Sequence, residues 1–410
     1  MGWATPHAPT PAELDACVTC GLCLPVCPTF RLTGDEAASP RGRLTAMAAV
    51  ADGIVDVDDV FAAVMGGCLQ CRACEAVCPS MVPFGRAMEG ARTEVAAQNP
   101  ARHQRYRRFL LGRVPANRWL MRGLTGLAAV AQRLGLDRIG WGPLRRLRPL
   151  RRLRLVPPTL VGMSWRSVGD RHDSVALLAG CVMDPWFEEV HAATVNVLRR
   201  AGIDVQVPAD QTCCGALAAH DGAGDDAVRM ATRNIAAFNE VGTIVVNAAG
   251  CGAHLKDYGI YGVPGAELAS RVQDVTEIVA DMIEVGQLPV LDTELGPVAV
   301  QDPCHLRHAQ GIVAAPRSIL RAAGYDPLDI DPSATCCGAA GIYSLLEPET
   351  AATLGQRKAT EILVTEAPIV ATANPGCELQ LRQHLTTAGS RVRVAHPIEL
   401  YWEALQQVLP

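Results

Sequence analysis

Sixteen cysteines punctuate a chain of 410 residues, and half of them fall into two copies of one spacing. The first copy is Cys17-x-x-Cys20-x-x-Cys23-x-x-x-Cys27-Pro28; the second is Cys68-x-x-Cys71-x-x-Cys74-x-x-x-Cys78-Pro79. Three thiolates two residues apart let a short loop wrap three corners of an iron–sulfur cube. The fourth, one helical turn on, reaches the cube of the other repeat. The spacing therefore predicts two [4Fe-4S] clusters with crossed ligation. Cys17, Cys20, Cys23 and Cys78 hold one; Cys68, Cys71, Cys74 and Cys27 hold the other. Structural zinc usually takes its four ligands as two separated pairs, which does not describe a run of four closed by proline. Disulfides need an oxidising compartment, and Met1–Thr10 has neither the basic start nor the apolar core of a secretory signal. The expected chemistry is electron transfer in a reducing, cytoplasmic setting.

The other eight cysteines form a second system. Cys181, Cys213 and Cys214 recur 123 residues later as Cys304, Cys336 and Cys337, and Cys251 recurs 126 later as Cys377. The surrounding words repeat too: Thr212-Cys-Cys-Gly-Ala216 against Thr335-Cys-Cys-Gly-Ala339, with Asn247 and Asn374 ahead of the last cysteine. Each repeat thus offers one cysteine after a strand, an adjacent pair, and one after a later strand. Glycine beside the pair lets the backbone come close to a bulky object. The pattern suits a further iron–sulfur or redox site; buried, unmetallated thiols in a duplicated fold are the plainer reading.

Elements to position these residues can be read from periodicity. Helices are expected over Arg41–Asp52, Val57–Met65 and Phe84–Gln98, giving a small helical ferredoxin-like domain over 1–100. An arginine-rich linker follows over 101–170, and two repeats over 171–290 and 291–410. Strands Val175–Leu178, Val205–Val207 and Thr243–Asn247 alternate with helices His191–Ala201 and Val228–Phe238. Strands Val298–Val300 and Ile369–Thr372 alternate with helices Pro316–Ala323 and Thr350–Thr365. Such alternation implies parallel sheets whose carboxyl-end loops carry the site. The expected fold is mixed: an α+β ferredoxin-like module, then duplicated α/β repeats.

Charge is unevenly spread. From Arg102 to Arg154 there are 15 arginines and a single acid, Asp137, although the whole chain carries a net charge of −5. Trp119, Leu120, Leu124, Leu127 and Val130 fall near helical spacing there. Two readings stand side by side: a basic amphipathic helix on an anionic membrane surface, or a linker packed on an acidic neighbour. No nucleic-acid motif accompanies the charge, and no stretch approaches the roughly 20 apolar residues that span a bilayer. Gly222-Ala-Gly224 reads as a turn, not a dinucleotide loop. His305 and His308 flank Cys304 as cluster neighbours, as a proton relay, or as plain capping and surface residues.

With those motifs in hand, the paired Cys-Cys-Gly words resemble the CCG domains of heterodisulfide reductase-like proteins. That resemblance implies a five-cysteine, non-cubane cluster closed by Cys-x-x-Cys. Here the chain departs from it, reading Cys251-Gly-Ala-His254 and Cys377-Glu-Leu-Gln380. His254 is a chemically competent substitute ligand, Gln380 a poor one. Over essentially its full length the chain resembles the family of glycolate oxidase iron–sulfur subunits, through Cys27-Pro-Thr-Phe30, Gly34-Asp-Glu36, Ser39-Pro-Arg-Gly-Arg43 and His396-Pro-Ile-Glu-Leu400. The resemblance implies FAD-linked oxidase subunits as partners, 2-hydroxy-acid oxidation on them, and onward transfer to a quinone or other acceptor. Related complexes imply lactate or glycerol 3-phosphate as alternative donors, or thiol–disulfide chemistry in the repeats. A metal-stabilised interaction scaffold is the non-enzymatic alternative.

Overall fold

The computed structural model describes residues 2–99, 102–136, 148–168 and 173–408. Arg138, Arg145 and Arg146 of the arginine-rich segment lie outside the described residues.

The N-terminal region is helical because its punctuation demands it. Thr10 and Glu13 close a capping box ahead of Pro11–Asp15, and Ser39 and Asp58 cap Pro40–Ala51 and Asp59–Gly66. Pro28 and Pro40 occupy first helical turns, where the missing N–H has no partner to lose. A longer helix, α1 (Phe84–Gln98), closes the module. Met47, Val50, Phe61, Met65, Met88 and Ala91 pack into one core that also takes in Cys68 and Cys74. Two further helices follow, α2 (Arg102–Arg113) and α3 (Arg118–Arg133).

Among the described residues, nine strands form two sheets. The first contains β1 (Ser164–Trp165), β2 (Asp173–Leu177), β3 (Ile203–Gln206), β4 (Thr243–Val246) and β5 (Val272–Asp274), in the order β1-β3-β2-β4-β5. The second contains β6 (Gly296–Val300), β7 (Tyr325–Asp329), β8 (Ile369–Ala371) and β9 (Arg393–Ala395), in the order β7-β6-β8-β9. All pairings are parallel except β1 with β3, which is why the central strands are continuous apolar runs covered on both faces. The mixed fold expected from the sequence is the one observed. Four strands escaped that reading. β1, β5 and β9 are only two or three residues long, and β7 contains Pro327, which an edge strand tolerates.

Helix α4 (Ala249–Lys256) follows β4, and α5 (Pro375–Thr387) follows β8. Cys251 and Cys377 therefore sit in first helical turns, not in loops. The repeats share one core: Val197 and Leu198, Val279, Ile319, Tyr401 and Leu405 come from four helices of both repeats and pack together with Phe187. Gly222 sits at φ +80°, and a Cβ there would lie 2.3 Å from the Arg92 carbonyl oxygen. The Gly222–Gly224 turn is thus shaped by contact with α1.

Phe187 is almost completely buried where the two repeats meet. Phe187→Ala should lower unfolding stability by about 3–5 kcal/mol, read as a lower urea midpoint with an unchanged slope.

Candidate metal centres

Both cysteine runs wind through left-handed backbone at matching positions. Thr19 and Gly21 have φ of 55° and 82°; their counterparts Gln70 and Arg72 have 51° and 61°. Non-glycine residues rarely adopt this conformation, and alternating it turns successive N–H groups toward the concave side, as in anion-binding nests. One cavity is lined by Cys17, Cys20, Cys23, Cys74 and Cys78, together with Arg41. A second is lined by Cys27, Cys68, Cys71 and Cys74, with Arg43 and Arg72. Neither lining includes a carboxylate or an imidazole. Among the described residues, no three His, Cys, Asp or Glu side chains converge tightly enough for a single ion. Sulfur donors standing around a space, with arginines to balance charge, fit an iron–sulfur cube.

The two cavities differ in setting. Cys20 is exposed, and Val18 and Leu22 of the same cavity lining are exposed apolar side chains. The second loop is clasped from both repeats. Arg92, on α1, donates to the carbonyls of Cys68 (2.6 Å), Met65 (3.0 Å) and Gly66 (3.1 Å), and also to that of His220 in the first repeat (2.7 Å). Arg72 pairs with Glu75 and with Asp257 of the first repeat. From the second repeat, the His305 ring meets the Gln70 carbonyl at 3.0 Å and Tyr343 donates to the Gly67 carbonyl at 3.3 Å. Cys71, Leu69 and Ala73 pack in one apolar cluster with Cys336, and Cys304 lies against it. Burial first, then the nearby Cys304 charge, pushes the Cys71 thiol well up.

Each repeat gathers its four cysteines as two facing pairs. Cys181 meets Cys213 at 3.2 Å and Cys214 meets Cys251 at 3.2 Å; Cys337 meets Cys377 at 3.1 Å, and Cys304 hydrogen-bonds Cys336. All sixteen cysteines are free. Hydrogen bonding with Cys181 first, then with Cys214, pushes Cys213 well down. Hydrogen bonding to its pair partner and burial push Cys181 and Cys304 well up. Gly215 and Gly338 follow the pairs at φ 93° and 87°, and a Cβ on Gly338 would lie 2.7 Å from the Ala351 carbonyl.

The closing positions of the two repeats diverge. His254 is buried, with Nε2 about van der Waals distance, 3.5 Å, from where a Cβ on Gly215 would stand, and 3.4 Å from the Tyr261 hydroxyl. Gln380 instead donates to the Ala351 carbonyl at 2.9 Å and lies 3.3 Å from His384. His308 braces the Ala334 carbonyl ahead of Cys336, at 3.2 Å. Sequence reading missed Glu89 and His220, which meet at 2.8 Å. The His220 ring lies 5.6 Å from that of His305 and 6.2 Å from that of His254. These residues come from four separate elements, so no local spacing announces them. Burial holds His254 at about 4 and His220 and His305 at about 3.

Fold and site together define an iron–sulfur protein built from a dicluster module and two cysteine-rich domains. Residues 13–82 match the 4Fe-4S dicluster domain, and 175–256 and 298–382 match the cysteine-rich domain family. The chain is 33% identical to the probable glycolate oxidase iron-sulfur subunit of Bacillus subtilis, covering 96% of this chain and 94% of that one. It is 31% identical to the glycolate oxidase iron-sulfur subunit of Escherichia coli, covering 96% and 95%. Lactate utilization protein A of Oceanobacillus iheyensis is 28% identical over 55% of this chain and 95% of its own. The chain belongs to the family of glycolate oxidase iron–sulfur subunits.

His220 stays neutral in the folded chain down to about pH 3, against an ordinary value of 6.5. Between these values the unfolded chain binds the extra proton, so stability falls as pH falls. His220→Gln should flatten the fall in unfolding free energy below pH 6.5 by up to about 1.4 kcal/mol per pH unit, measured by urea titrations of both proteins across that range.

Proposed function

We propose that this chain is the electron-transfer subunit of a flavin-dependent 2-hydroxy-acid dehydrogenase, with glycolate as donor, glyoxylate as product and a quinone as final acceptor. The observation that carries this reading is the serial arrangement of thiol-lined spaces. One opens at the surface beside Cys20, and the next is buried against the cysteines of the second repeat. We assign Cys17, Cys20, Cys23 and Cys78 to the outward [4Fe-4S] cluster, and Cys68, Cys71, Cys74 and Cys27 to the inward one. Clusters held there would supply one-electron chemistry, which lets a two-electron oxidation on a flavin be discharged in steps.

The chain's own residues do the rest. Val18 and Leu22 around Cys20 offer an apolar face to the FAD-bearing subunit. Arg43, itself buried, holds the Val64 and Ala38 carbonyls and the Thr29 hydroxyl beside Cys27. Substrate oxidation is assigned to the partner, because the sequence carries no dinucleotide loop. The names of the two full-length relatives support glycolate; that of the third favours lactate, and the flavoprotein would make the choice. No described helix is long and apolar enough to cross a membrane, which suits a peripheral place at the cytoplasmic face of the inner membrane.

For the repeats we propose an additional redox centre on Cys181, Cys213, Cys214 and Cys251, with His254 within reach, and on Cys304, Cys336, Cys337 and Cys377. The facing sulfur pairs favour thiol–disulfide chemistry as a second reading of the same residues. Iron and sulfide analysis after anaerobic purification separates the two. About eight irons per chain with titratable repeat thiols supports thiol chemistry, and more than eight supports added clusters.

Cys78→Ala should abolish the electron paramagnetic resonance signal of the Cys17–Cys23 cluster while sparing that of the Cys68–Cys74 cluster. Loss of only the latter signal would refute the crossed assignment.

A further inference from the structure

The arginine-rich segment divides into two groups of side chains. Arg107 pairs with Asp221 at 2.8 Å, Arg151 with Glu399 at 2.9 Å and Glu189 at 3.2 Å, and Arg154 with Glu188. These arginines serve the packing of the linker on acidic neighbours. Arg113, Arg118, Arg122 and Arg133 have no carboxylate partner among the described residues. Instead Arg118 and Arg122 both lie over the Trp119 ring at 5.3 Å, and Arg113 lies over Phe109 at 5.4 Å.

Helix α3 is apolar on two opposite faces. Met121, Thr125 and Ala129 are buried inward. Trp186 of the first repeat donates to the Thr125 hydroxyl at 2.9 Å, and Leu150 and Leu153 pack on Ala129. The outward face carries Trp119, Leu120, Leu124, Leu127, Val130 and Leu134, all exposed; Leu127 is 68% and Trp119 64% exposed. At 100° per residue these six span an arc of about 140°, with Arg122 and Arg133 along one flank, while Arg118 lies toward the inward face and donates to the Ala209 carbonyl at 3.3 Å. On the preceding helix α2, Tyr106, Phe109 and Leu110 are exposed as well. A helix that is apolar on both faces is ordinarily covered on both. Something must cover this one.

We infer that the outward face of α3, with the exposed aromatics of α2, docks in the interfacial layer of an anionic lipid bilayer. The chemistry of the patch favours lipid over a protein partner. Its charge is of one sign, matching an anionic leaflet. Its tryptophan is of the kind that settles at headgroup depth. The guanidinium groups of Arg113, Arg118 and Arg122 lie over aromatic rings, where they can meet lipid phosphates while their stems cover apolar surface. A basic, aromatic-bearing amphipathic helix lying in the membrane plane is a recognised mode of peripheral attachment. The inference deepens the quinone reading and rests on it only for its purpose, since an acceptor dissolved in the bilayer needs the terminal redox site held against that bilayer. Docking itself is measured without any acceptor. Its failure would leave the quinone assignment standing, and failure of quinone reduction would leave docking standing.

The test uses the full holoprotein with vesicles of phosphatidylglycerol and phosphatidylcholine, and with phosphatidylcholine alone. The protein should cosediment with the anionic vesicles, less so as salt is raised, and its tryptophan emission should shift blue in a way that Trp119→Phe removes. Leu124→Glu with Leu127→Glu should weaken vesicle binding at least about tenfold, while iron content and thermal midpoint stay unchanged because both side chains are exposed. Arg113→Gln with Arg118→Gln and Arg122→Gln should lessen the salt dependence. Equal binding to neutral vesicles, undiminished binding by the double glutamate variant, or protection of this face only when the flavoprotein subunit is added would each overturn the inference.

Discussion

Bringing thiol sulfur out of water is unfavourable for its charged form, and bringing several sulfurs together adds mutual repulsion. Around the Cys68–Cys74 loop this chain does both, and much of the surrounding structure answers that burden. Arg92 spends its guanidinium on four carbonyls of two domains, Arg72 is held between Glu75 and Asp257, and the left-handed turns at Gln70 and Arg72 face N–H groups inward. Each contact supplies positive potential near sulfur or fixes a loop that could not hold its own shape. Because the partners come from both repeats, cluster loop and repeats are positioned together.

The duplication of the cysteine-rich domain shows how equal sequence words come to unequal surroundings. Thr-Cys-Cys-Gly-Ala occurs twice, and in both copies the glycine is left-handed. Yet Cys213 and Cys214 lie in the apolar core of the first sheet, whereas Cys336 packs against the ferredoxin-like module and Cys337 against Cys377. The closing residues diverge accordingly. His254 stands among Tyr258, Tyr261 and His220, and Gln380 is tied to the Ala351 carbonyl. A shared core between the repeats, sealed by Tyr401 and Leu405 of the last helix, makes the asymmetry permanent.

The arginine-rich segment carries the same lesson in charge. Composition alone left two readings open, a packed linker and a membrane-facing helix, and the fold divides them among residues. Arg107 and Arg151 are consumed by acids of the repeats, while Arg118 and Arg122 stack on an exposed tryptophan. No count of charges could have made that division, because it depends on which helix face meets the first repeat.

Local patterns were legible to the extent that local physics makes them. Helix Phe84–Gln98 was readable to the residue, because its periodicity is unbroken. The expected helix over Arg41–Asp52 lies one residue from the observed Pro40–Ala51, where Ser39 and Pro40 mark its start. Strand β7 was not legible, since Pro327 speaks against a strand until the sheet order shows it to be an edge. The sequence by itself determined the two cysteine runs, the 123-residue repeat and the alternation that makes parallel sheets. Those are matters of spacing and of hydrogen bonds within a few residues. Only the tertiary structure decided which thiols face which, that Glu89 meets His220, and that the first cysteine site looks outward while the second is enclosed. These depend on contacts between residues from 32 to 235 positions apart, which burial and charge select only once the chain has closed on itself.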